Sequence, residues 1–131
     1  MTTEADTRER RRRRAVRFYE LMFDEDRPRE AVERFVGDTY TQHNPHVEDG
    51  KEAFGAYFER MAEAYPDKEA TIHRTVVEDD LVVLHCEQSW PGDEDYAGID
   101  IFRFDEDDRI VEHWDVLQPI PDEMAHDNGM F

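Results

Sequence analysis

The chain predicts an α+β fold, a curved antiparallel sheet with helices packed on one face, and three observations predict it. Apolar residues recur at helical spacing through the first half of the sequence. After Asp67 the period drops to two, over runs rich in β-branched and aromatic residues. The connectors between those runs are short and turn-like, so the strands are antiparallel neighbours. Helices followed by a run of strands define that class.

The elements follow in order. From about Thr7, residues Ala15, Phe18, Tyr19, Met22 and Phe23 fall on one helical face. Pro28 suits the first turn of a second helix, Val32, Phe35 and Val36 make its short stripe, and Gly37 stops it. A third helix opens on a capping-box pattern, Asp49 with Glu52. It buries Phe54, Tyr57, Phe58, Met61 and Tyr65 and ends at Pro66. Four strands are expected at 69–78 (EATIHRTVVE), 81–90 (LVVLHCEQSW), 96–104 (YAGIDIFRF) and 110–118 (IVEHWDVLQ). The tail, 119–131, cannot continue the last strand past Pro119 and Pro121; Met124, Met130 and Phe131 expect it to fold back on the body or on a partner subunit.

With 131 residues the chain is expected to form one domain, 1–131. Neither a membrane span nor the apolar core of a secretion signal is present, and the single Cys86 rules out an internal disulfide framework, so a reducing cytoplasm is expected. Thirty-four acids against 16 bases leave a net charge of −18, with lysine only at Lys51 and Lys68. Such a surface repels phosphate backbones, which argues against nucleic acid as a partner. It suits a protein that must stay hydrated in concentrated salt, as in a halophile. Residues 1–17 dissent, with seven arginines against three acids. The basic run within 1–14 reads either as a nucleic-acid or membrane arm or as the first helix's solvated face, pairing with the acidic body; the second is the plainer reading.

The segment DIFRFDEDDRIVEHWDVLQP, residues 100–119, carries the strongest chemical signal. If Asp105 and Ile110 close its turn, Phe104 lies opposite Val111, Phe102 opposite His113, and Asp100 opposite Asp115. A turn slipped by two places Asp100 opposite His113 instead. Either way two carboxylates and an imidazole gather among phenylalanines. Opposed Cβ atoms are about 5 Å apart, so two aspartates there repel. Repulsion and apolar walls both push a carboxyl pKa upward, toward a usable general base. The plain alternative is a solvated cluster in which Asp100 pairs with an arginine such as Arg74.

Before the third helix, YTQHNPHVEDG offers Tyr40, His43, Asn44 and His46. His43 and His46 have H-x-x-H spacing, but Asn44-Pro45 favours a turn over a helix that would aim both rings at one metal. A rigid loop that points Tyr40, His43 or Asn44 into a pocket is the better expectation, with no metal. His85 could complete that pocket, although a lone strand histidine is more often structural. Trp90 and Trp114 read as core or interface. No glycine-rich phosphate loop, nucleophile elbow or cysteine–histidine pair is present.

With YTQHNPHVEDGKEAF, DIFRFDEDDRIVEHWDVLQP and the ending NGMF, the chain after the arginine run resembles the SnoaL-like proteins. These are the polyketide cyclase and aldol-condensation branch of the nuclear transport factor 2-like superfamily. The resemblance implies a cone-shaped α+β barrel around a mostly apolar cavity, often dimeric through its sheet. It also implies an aspartate acid/base without metal or cofactor. The matching position is Asp115 in HWDV, with Asp100 and His43 as partners.

The resulting expectation is a small cofactor-independent enzyme acting on an apolar carbonyl compound, as a homodimer. Asp115 removes a proton beside the carbonyl, Asp100 or His113 tunes it, and His43 with Asn44 holds the enolate oxygen. Tyr40, His85 and Phe102 complete the pocket. The rival readings are a non-catalytic ligand-binding module and a dimerisation domain whose cone is filled by Phe102 and Phe104.

Overall fold

The computed structural model describes residues 2–131; of the expected domain and its basic start, Met1 lies outside them. Three helices pack on a curved five-stranded sheet. The first helix, α1 (Glu4–Phe23), begins three residues before the expected start near Thr7. Thr3 caps it, its hydroxyl accepting from the Asp6 amide while its own amide donates to the Asp6 carboxylate. Its apolar face, Ala15, Phe18, Tyr19, Met22 and Phe23, is buried. Pro28 sits in the first turn of α2 (Pro28–Phe35), as expected.

The arginine run lies on the body. Arg10 and Arg11 bond the carboxylate of Asp108, and Arg14 donates to the Asp108 carbonyl. The first helix is thereby tied to the turn between the last two strands, the plainer of the two readings of that run.

A strand that the sequence pattern does not announce comes next. Val36 and Gly37, read as the end of a helix, open β1 (Val36–Gln42). The capping box expected before the third helix is also absent. Asp49 accepts the Gln42 amide instead, and Gly50, at φ 94°, leads into α3 (Lys51–Ala64) without a side-chain cap.

The remaining strands match the period-two reading closely: β2 (Glu69–Glu78), β3 (Leu81–Ser89), β4 (Tyr96–Phe104) and β5 (Ile110–Pro119). The sheet order is β1-β5-β4-β3-β2, antiparallel except where β1 runs parallel to β5. Asp100 faces Asp115 and Phe102 faces His113. A register shift beside Phe104 pairs it with Ile110, not with Val111.

One face of the sheet packs on the helices and holds Leu84, Cys86, Phe102 and Phe104, all nearly inaccessible. At Gly98, opposite Cys86 and Leu117, a Cβ would stand 2.8 Å from a Leu117 methyl. The outer face exposes Val76, Ile99 and Val116. The tail folds back on that outer side, where the Phe131 ring stacks on His73 at 4.4 Å between centroids. Among the described residues no helix is long and apolar enough to cross a membrane.

Candidate active site

Three side chains from the β4–β5 pair meet on the inner face. Asp100 and His113 are buried, and Asp115 is partly so. His113 Nε2 lies 2.8 Å from Asp100 Oδ1, a diagonal contact across the hairpin that satisfies both groups without the slipped register. The second Asp100 oxygen accepts from the Cys86 thiol at 3.3 Å. Arg74, the arginine that could have neutralised Asp100, is on the outer face beside His85.

β1 supplies the other wall. Gln42 Oε1 accepts the backbone amides of His43 and Asn44 and lies 2.8 Å from His113 Nδ1. The two backbone donors fix the orientation of the Gln42 amide, so His113 must donate from Nδ1. Asn44 Nδ2 contacts both oxygens of Asp115 at 2.9 Å.

The Asp115 carboxyl is held above the usual carboxylate range by burial first and by the charge of Asp100 second, with His113, Asn44 and His46 opposing. Burial also raises the Tyr40 and Tyr19 hydroxyls and the Cys86 thiol well above their ordinary values, so all three stay protonated near neutrality.

Asp100, His113 and Asp115 open on a cavity of about 60 Å³ whose wall also includes Tyr40, Gln42, Asn44, Phe102 and Trp90. Asn44, Tyr57, Gln88, Trp90, Asp115 and Leu117 also line a wider outer pocket of about 530 Å³. Asp115 therefore stands at the neck between a narrow inner chamber and a roomier mouth.

Two expected pocket members are elsewhere, and both corrections follow from strand alternation. His43 belongs to the outer side, where its ring stacks on Trp114 at 5.0 Å and its Nε2 lies 2.7 Å from Glu112. That contact, with Arg103, lowers the Glu112 carboxyl. His85 is paired with Ile99 on the outer face, because the inner positions of β3 are Leu84 and Cys86. Gln42 is the member that sequence reasoning missed. Recognising Tyr40 and Gln42 as alternate residues of one strand would have placed both inside and His43 outside.

The ligand atoms of Asp100, His113 and Asp115 lie within 4.8 Å of one another, the set a divalent cation could use. In this arrangement they are engaged with each other and with Asn44, so a cation would have to displace those bonds.

Three helices on one face of a curved five-stranded sheet, with polar groups on that inner face, make the fold nuclear transport factor 2-like. Within that class, residues 15–113 match the SnoaL-like domain, and the chain belongs to that family. The matched stretch stops just short of Asp115. No curated protein sequence matches the chain. Among solved structures it is similar to TsrD from Streptomyces laurentii, with 22% identity, 89% of this chain and 91% of the other covered, and a TM-score of 0.69. A candidate polyketide cyclase from Acidithiobacillus ferrooxidans gives 20% identity, 80% and 85% coverage, and 0.69. A candidate isomerase of the SnoaL-like family from Agrobacterium tumefaciens gives 14%, 82% and 97%, and 0.67. At these identities the likeness is one of fold.

Proposed function

We propose that the protein is a cofactor-independent acid/base enzyme acting next to the carbonyl of a small apolar compound. One observation carries the reading: Asp115, a carboxyl whose pKa is raised by burial and by Asp100, stands at the neck of a largely apolar cavity. Asp115 takes the proton from the carbon beside the carbonyl, and the C–H electrons move onto the carbonyl oxygen as an enolate. The enolate then either takes the proton back from Asp115 at a different carbon of a conjugated system, an isomerisation, or its carbon attacks a second carbonyl of the same molecule, an aldol-type closure whose alkoxide takes that proton. Asp100, hydrogen-bonded to His113, sets the field in which Asp115 titrates. The inner chamber admits only the reacting end of the ligand; the body of the compound rests in the outer pocket among Tyr57, Tyr65 and Trp90.

The test is solvent deuterium exchange into the α-positions of a panel of small ketones, followed by proton NMR. Wild-type protein should catalyse exchange into at least one member. Asp115→Asn should lower that rate by about 10²–10⁴-fold with the circular dichroism unchanged. Undiminished exchange in the variant removes Asp115 from the mechanism.

A second reading, a binding module without chemistry, has its own support: the Asn44 amide occupies both oxygens of Asp115. It predicts saturable ligand binding, with no exchange in the wild type and none in Asn44→Ala. The setting proposed for either reading is a homodimer joined through the outer sheet face in a halophile's cytoplasm. The exposed Ile99 and Val116 and the charge of −18 support it.

A further inference from the structure

Among the described residues, two buried side-chain polar atoms have no hydrogen-bond partner, Tyr40 Oη and Gln42 Nε2. Both residues line the inner chamber, and both come from the inward face of β1, two positions apart. Buried donors are almost always satisfied in folded proteins, and an exception needs a cause. Chance is a poor one here, because the two exceptions are neighbours beside Asp115.

The donor character of both atoms is fixed. The Gln42 carbonyl oxygen already accepts two backbone amides and His113 Nδ1–H, which leaves Nε2 as the outward amide end with hydrogens only. Tyr40 is 2% exposed, and its hydroxyl stays protonated because Asp100 and Asp115 add their negative charge to the effect of burial. Gln42 lies close enough to that hydroxyl to draw the Tyr40 pKa partly back down, yet the two side chains fall short of hydrogen-bond geometry with each other and with every other described protein group.

We infer that Tyr40 Oη and Gln42 Nε2 form a two-donor pocket for an oxygen acceptor of the ligand, a carbonyl that becomes an enolate or a phenolate-like oxygen. The role expected for His43 and Asn44 thus passes to Tyr40 and Gln42, since His43 faces outward and Asn44 is bound to Asp115. The inference rests on the proposed reading only for the word enolate. A binding module would use the same pair to hold a neutral carbonyl.

The probe is 4-nitrophenol, a flat apolar ring whose phenolate is visible by its own absorbance. It is titrated into the full-length Asp115→Asn protein, where no carboxylate repels the anion at the neck. Saturable binding with a shift of the probe toward phenolate is expected. Adding Tyr40→Phe should weaken binding about tenfold or more, and adding Gln42→Glu, which keeps the acceptor for His113 and removes the donor, should weaken it similarly. In the wild-type background Tyr40→Phe should leave the melting temperature unchanged or raised, because the hydroxyl it removes has no partner.

Three outcomes overturn the inference: equal probe affinity with and without the Tyr40 hydroxyl, no saturable binding by folded Asp115→Asn protein, or a lower melting temperature for Tyr40→Phe, which would show the hydroxyl already engaged. Ketone exchange that survives Asp115→Asn would sink the proposed base and leave this donor pair standing.

Discussion

Asp115 is a carboxyl whose surroundings favour its protonated form, and that has a sign. Its folded-state pKa lies above the unfolded value, so the stability it contributes is complete below the unfolded pKa and is lost as pH rises through the folded one. Asp115→Asn removes that loss. Its melting temperature should exceed that of the wild type at neutral pH, and the gap should close as pH falls toward about 4. A gap that holds constant with pH would mean the carboxyl is not destabilised by its neighbours. The pairing of Asp100 with Asp115 was legible because alternation and a hairpin turn suffice to place them. Gln42 was not, since its importance comes from a parallel contact with His113, 71 residues away in the chain.

At the level of elements, strands two to five were legible because turn residues and β-branched runs mark both ends of each. β1 was hidden, since Val36 and Tyr40 are its only large apolar residues and Val36 completes a helical spacing with Val32 and Phe35. Its strand character comes from β5, which offers a paired edge that the local sequence does not reveal. The tie between α1 and the β4–β5 turn also belongs at this scale. Asp108, whose side chain is 14% exposed, accepts from Arg10 and Arg11. Asp108→Ala should cost about 1–3 kcal/mol in urea denaturation, because it leaves half-buried guanidinium groups without their acceptor. A loss below a few tenths would class the contact with ordinary surface ion pairs.

For the whole molecule, charge is the dominant quantity. A body carrying −18 repels itself, and in molar KCl that repulsion is screened within about 3 Å. The melting temperature should therefore rise between dilute buffer and molar KCl; a flat or falling trend would count against a halophilic origin. If a second copy covers the outer face, Ile99→Asp should shift the sedimentation coefficient from dimer to monomer, whereas wild-type protein that already sediments as a monomer would dismiss that partner.

The missing side chain at Gly98 leaves the Leu117 methyl closer to the backbone than any other residue type would allow. Leu117 belongs to both the inner chamber and its mouth and is 36% exposed, so it has somewhere to go. Gly98→Ala would nudge that methyl forward and narrow the throat while leaving every polar group in place. On the proposed reading, position 98 thus gauges which guests the throat would admit, set by one carbon atom.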